Sequence, residues 1–260
     1  MKKIVFTAVC ILLLAQLGVE QIKSWNAPKS MSLSQWEIGD LVYTTKEIID
    51  QPLGQEVFAV VKGGEGIQRV PMFYQGDNQW VFRYSSRQTG AKTFVIESEI
   101  KALNGKKGKI TITDNTKADR HGGIVLKEDH PQHFFYEDGS HYFNLASECD
   151  WLFALDYGDM ALPKTNHLLS LIGENGFNQV VMNVYLYDVK WKRDPILKDH
   201  PEHEYDGRED IYPFLGSNSD PDFSTFNYAF FDHLDRVLAS MHDKEIVSHL
   251  MIYVWNKLVN

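Results

Sequence analysis

The hydrophobic period of this 260-residue chain changes near residue 120. Upstream, apolar residues recur every second position. Trp80, Phe82 and Tyr84 alternate with Val81 and Arg83, the signature of a strand with one buried face. Glu56–Lys62, Thr93–Glu97 and Lys109–Thr113 read as further strands, separated by a Gly63-Gly64-Glu65-Gly66 loop and a Gln75-Gly76-Asp77-Asn78 turn. Short strands without an intervening helix predict an immunoglobulin-like β-sandwich over residues 30–118. Downstream, strand and helix patterns alternate. Asp138-Gly139 sits between Phe134–Glu137 and Ser140–Asn144, a pairing that suits a type I′ hairpin turn. Tyr142–Ala146, Asn178–Tyr185 and Ile246–Trp255 read as near-continuous apolar strands. Between them lie a helix over His167–Ile172, ended by Gly173 or Gly176, and a helix capped by Asp222 or Ser224. The second helix carries Phe226, Phe230, Leu234, Val237, Leu238 and Met241 on one face.

Near-continuous apolar strands covered by helices imply a parallel sheet. The expected fold class is therefore an all-β sandwich followed by α/β, a partial (β/α)8 barrel over residues 121–260. A closed barrel takes about 250 residues, so only about three of its eight βα units are expected here.

The first residues set the expected compartment. Lys2 and Lys3 precede an apolar run from Ile4 to Leu14, broken only by Thr7, and a polar-to-small exit over Ala15–Gln21. That run is short for a membrane span, so residues 1–21 read as a signal peptide and the protein as secreted or periplasmic. Removing Cys10 with the signal leaves Cys149 alone, so no intramolecular disulfide is available and the fold rests on its cores. The formal net charge of −9 disfavours nucleic acid and anionic membranes as partners. Aromatic residues make up 13%, and their faces suit either sugar rings or the core.

In a barrel, chemistry sits at the C-terminal ends of the strands. Those ends carry Glu148, Asp150 and Trp151, then Asn183, Tyr185 and Asp188 with Trp191 beyond, then Tyr253, Trp255 and Asn256. Asp150, Trp151, Asn183, Tyr185, Trp255 and Asn256 are the candidate substrate-binding residues. Trp151 and Trp255 serve equally as packing under the loops, and Asp150 as a helix cap. The stretch from Trp191 to Thr225 reads as one long loop, with nine acidic residues between Asp194 and Asp222 against Lys198 and Arg208. Loops of that length are functional or disordered.

His200-Pro201-Glu202-His203 has the residue types of a metal pair. On a loop the spacing fixes no geometry, so no metal is assigned. Asn218, Asp220 and Asp222 alternate as in calcium loops, but Pro221 and the missing downstream glycine and glutamate argue against an EF-hand. The Gly63–Gly66 loop is followed by a strand, so it is no phosphate cradle, and no Gly-x-Ser-x-Gly elbow is present. No cofactor is expected.

Phe73-Tyr74-Gln75-Gly76-Asp77, Trp80-Val81-Phe82-Arg83-Tyr84, Gly90 and Thr93-Phe94 resemble a sandwich domain of unassigned function that precedes glycosidase barrels. The second part resembles the apiosidase-like glycoside hydrolases. The resembling residues are His121-Gly122, the Phe135–Gly139 hairpin, Asp150-Trp151, Gly176-Phe177-Asn178 with Val180–Val184, and Phe231-Asp232 through Trp255-Asn256. Gln51-Pro52-Leu53, Thr93-Phe94 and Lys244-Glu245 depart from the usual patterns. The resemblance implies hydrolysis of O-glycosyl bonds in plant cell-wall glycans. It also implies that the two catalytic glutamates, carried after barrel strands four and seven, fall beyond residue 260. The alternative is a secreted carbohydrate-binding protein without catalysis.

Overall fold

A computed structural model describes residues 29–64, 66–184, 194–204, 212–217 and 220–252. The predicted signal segment, Tyr185, Asp188, Trp191, Tyr253, Trp255 and Asn256 lie outside the described residues.

Eight strands build the first part: β1 (Lys29–Ser34), β2 (Gly39–Thr44), β3 (Val57–Gly63), β4 (Gly66–Pro71), β5 (Phe73–Gly76), β6 (Gln79–Tyr84), β7 (Gly90–Ser98) and β8 (Lys107–Thr113). They form a five-stranded sheet, β1-β8-β7-β3-β4, and a three-stranded sheet, β2-β6-β5. Only the β1–β8 pairing is parallel in these two sheets. Both sheets contribute to one apolar cluster, with Trp80, Phe82 and Tyr43 from one and Ala59, Ile96 and Ile110 from the other. Phe82 meets Phe94 across that cluster with ring centroids 4.9 Å apart. The sandwich-like pattern read from β6 is thus present, although Val81 on its second face is also buried. Asp77 and Asn78 both adopt the left-handed conformation, which makes the β5–β6 connection a type I′ turn.

The second part contains β9 (Ile124–Lys127), β10 (His130–Tyr136), β11 (His141–Tyr142), β12 (Ala146–Glu148), α1 (Pro163–Glu174), β13 (Gln179–Asn183), β14 (Phe214–Ser217), β15 (Asp220–Phe226), α2 (Tyr228–His242) and β16 (Val247–Met251). Here the expected fold class is overturned. The described chain is mostly strand, sixteen strands in five small sheets against two α-helices, and it does not build the βα repeats of a partial barrel. The parallel strands form one open sheet of three, β12-β13-β16, set among antiparallel units β11-β10-β9 and β14-β15.

The reason lies in segments that the apolar pattern misassigned. Tyr142–Ala146 is no single strand. Tyr142 pairs with Phe134 in the antiparallel sheet, and only from Ala146 does the chain pair with β13. The expected 191–225 loop contributes the β14–β15 hairpin. The α2 cap is Asn227, whose side chain accepts from the Phe230 amide at 3.4 Å. Asp222 and Ser224 lie in β15 instead, where Asp222 accepts from the Ser224 amide at 2.9 Å. The Asp138-Gly139 turn also differs from expectation. Only Gly139 is left-handed, and its amide closes on the Tyr136 carbonyl at 2.9 Å, a type I turn with a glycine bulge.

A separate apolar cluster holds the parallel sheet, with Phe153, Leu169, Val180, Met182, Phe230 and Val237 each fully buried. α1 begins at Pro163, and the buried Asp156 carboxylate accepts from the Lys164 and Thr165 amides at 3.2 and 2.7 Å. It thereby satisfies two donors that a helix start leaves open. The sandwich meets α2 through Arg83. Its guanidinium reaches Asp40 on β2 and Asp235 on α2, while Tyr74 packs edge-on against Tyr228.

Candidate functional site at the C-terminal edge of the parallel sheet

Three backbone bonds gather the segments that leave the parallel sheet. The Cys149 amide donates to the Val181 carbonyl at 2.8 Å, Asn183 to the Asp150 carbonyl at 3.0 Å, and Val184 to the Met251 carbonyl at 3.1 Å. These bonds place Asp150, Trp151 and Asn183 at one edge. In open α/β sheets that edge is where ligands bind, because the strand ends leave a crevice there.

Asn183 is the most informative member. The residue is 1% exposed, and among the described residues neither its Oδ1 nor its Nδ2 has a hydrogen-bond partner. The buried amide at the other end of the same strand behaves differently. Gln179 Oε1 accepts from Tyr142 Oη at 2.9 Å, and its Nε2 lies 3.1 Å from His249 Nδ1. Burying an amide without a partner costs about 1–3 kcal/mol. β13 thus carries a satisfied amide where it enters the sheet and an unpartnered one where it leaves.

Asp150 is half-buried, with one oxygen shielded from solvent. It does not cap α1, a role that Asp156 fills. Trp151 is half-buried and packs on the apolar cluster, so its ring belongs at least partly to the core. Glu148 is exposed. Cys149 is a free thiol, and burial pushes its pKa up, which leaves it a poor nucleophile.

His233, absent from the sequence-derived candidates, lies beneath this edge. It is 1% exposed, its Nε2 bonds the Phe153 carbonyl, and its Nδ1 has no partner among the described residues. Burial pushes its pKa down, so the ring is held neutral. Its position on the apolar face of α2 was readable from the helical period, but the carbonyl it bonds was not. Among the described residues, one group of His, Cys, Asp and Glu donors is close enough to share an ion: His167, Glu202 and His203.

No family model matches the chain, and no curated protein matches it. Among solved structures it is similar to a protein from Bacteroides vulgatus described as a "putative glycoside hydrolase", with 24% identity and a TM-score of 0.67. The match covers 85% of this chain and 41% of that one, so the chain spans about two fifths of its neighbour's length. The likeness shows a shared fold. A polysaccharide lyase matches over 56% of this chain at 14% identity, but its TM-score of 0.25 marks no common path.

Proposed function

We propose that this chain belongs to a secreted glycoside hydrolase acting on a plant-type polysaccharide or oligosaccharide, and that its part is to hold the sugar. The observation that carries this reading is the buried, unpartnered amide of Asn183, held beside Asp150 at the C-terminal edge of a parallel sheet. The fold shared with the protein described as a "putative glycoside hydrolase" supports the reaction class.

The chemistry follows from the groups. An amide offers one acceptor and two donors, and a carboxylate offers acceptors only. A sugar carries adjacent hydroxyls that both donate and accept. A sugar hydroxyl is chemically suited to both kinds of group, since it can accept from an amide nitrogen and donate to a carboxylate oxygen. Hydrolysis takes two carboxylates flanking the bond; we assign Asp150 and Asn183 a sugar-holding part and no proton transfer.

The test is binding and reducing-sugar release with plant cell-wall oligosaccharides. Bonds to a charged group are worth about 1.5–3 kcal/mol. Asp150→Ala is therefore expected to weaken binding by about tenfold or more, and Asn183→Ala by a similar factor. Unchanged affinity in Asn183→Ala would refute the reading. Binding without sugar release would place the protein among non-catalytic carbohydrate-binding proteins. Secretion is tested by the mass of the exported protein, which should lack about the first 21 residues. No described helix is long and apolar enough to cross a membrane.

A further inference from the structure

A second group of ligating side chains lies on the connections that leave β12 and β13, independent of the sugar-binding reading. His167 stands exposed on α1. Pro201, Glu202 and His203 form a 3-10 turn with proline at its first position, and Glu202 and His203 are half-buried on it. Lys164 Nζ donates to the Glu204 carbonyl at 2.8 Å and ties this turn to the start of α1. The tie brings the His167 and His203 rings to 5.7 Å between centroids, with their planes 31° apart.

One donor atom from each of His167, Glu202 and His203 lies within 4.8 Å of the others. Glu202 Oε1 is 3.8 Å from His203 Nε2 and 3.2 Å from His200 Nδ1. The His200 ring stands 6.2 Å from that of His203. A short 3-10 turn eclipses residues three apart, which puts His200 and His203 on one side, and the Glu202 carboxylate lies within reach of both rings.

The donor set selects the ion. Two imidazole nitrogens and one carboxylate oxygen suit a first-row divalent metal such as zinc, whereas calcium and magnesium prefer oxygen alone. Tetrahedral zinc with bonds of about 2.0–2.1 Å needs donors about 3.3 Å apart. The partly exposed side chains here close that difference by rotation about their own bonds. Three protein ligands leave a fourth position for water, and His200 is placed to orient the Glu202 carboxylate from outside.

We infer that His167, Glu202 and His203 form a divalent transition-metal site, with zinc as its fitting occupant, that staples residues 201–204 to α1. Binding stabilises the folded chain because the unfolded chain does not hold the three donors together.

The test uses the purified protein with any affinity tag removed. Zn(II) is followed by calorimetry, and Co(II) by the visible absorption of a low-coordinate ion. One equivalent of Zn(II) should bind and raise Tm. His167→Ala and His203→Gln should each weaken binding by at least about tenfold, since loss of a mere supporting partner already costs 10–100-fold, and should abolish the Tm gain. His133→Ala, at a histidine outside the cluster, should leave both readings unchanged. His167 is exposed, so its variant is expected to keep the wild-type far-ultraviolet circular dichroism. Absence of saturable one-to-one binding overturns the inference, and so does retention of wild-type affinity in either cluster variant.

Discussion

Arg83 joins the sandwich to α2, and its removal should loosen that junction by a predictable amount. On the β2 side, Nε and Nη2 donate to the two Asp40 carboxylate oxygens, each at 2.9 Å. On the α2 side, Nη1 and Nη2 donate to the two Asp235 oxygens at 3.1 and 2.8 Å. Both carboxylates hold the guanidinium firmly protonated, chiefly by hydrogen bonding. The geometry is bidentate twice, which favours a sizeable contribution. The side chains of Arg83 and Asp235 are 39% and 48% exposed, so water screens the attraction. Exposed pairs are worth about 0.2–1 kcal/mol, and ideal forks lie at the upper end. The Arg83–Asp235 coupling is thus expected near 1 kcal/mol, and Arg83→Ala, which loses both forks, should cost about 2 kcal/mol. The assay is a double-mutant cycle of Arg83→Ala and Asp235→Ala, read from urea unfolding. The coupling should shrink in 1 M salt, where the screening length is about 3 Å. A coupling below about 0.3 kcal/mol, within the additivity error of independent sites, would refute the claim that this fork holds α2 to the sheet.

Three further outcomes follow from packing and titration. Phe82→Ala empties a fully buried position between the two sheets and should cost about 3–5 kcal/mol in urea unfolding; a loss under 1 kcal/mol would mean that the sheets do not close on this ring. Gly108→Ala should destabilise by about 1–3 kcal/mol or prevent expression, because an added Cβ would lie 2.2 Å from the Lys29 carbonyl oxygen and 2.3 Å from the Phe94 ring. For His233, burial lowers the folded pKa, so the unfolded chain takes up its proton first as pH falls below about 6.5. Stability should therefore decline below that pH, at up to about 1.4 kcal/mol per unit while only the unfolded ring is charged. The decline should be shallower in His233→Gln, and equal slopes in the two proteins would show that the ring is not held neutral.

Much of the local structure was legible in the sequence. Alternation at Trp80, Phe82 and Tyr84 located β6 because a strand shows its side chains to two faces in turn. The helical period located α1 and the buried face of α2 for the parallel reason, and Gly176 ends α1 in the left-handed conformation that glycine accepts freely. Asp150, Trp151 and Asn183 could be placed on one edge because residues just past parallel strand ends share it. Periodicity records which side of a segment is buried. It does not record the neighbour against which that side is buried, or the direction in which the neighbour runs. That is why the pattern places Tyr142 in a parallel strand while it pairs antiparallel with Phe134, and why it reads the stretch around Phe214–Phe226 as loop. Strand–helix alternation alone suggests a repeating barrel, but it is equally satisfied by one small parallel sheet among antiparallel hairpins.

The residue pattern by itself determined the alternation that buries one face of β6, the apolar face of α2, and the residue types available at the sheet edge. These are properties of segments, set by backbone period and side-chain chemistry within a few residues. Tertiary structure alone decided the sheet order, the docking of Arg83 on Asp235, the missing partner of Asn183 and the meeting of His167 with His203. Each of those depends on groups far apart along the chain, whose approach is settled by how the cores pack and by which backbone groups find partners when they do.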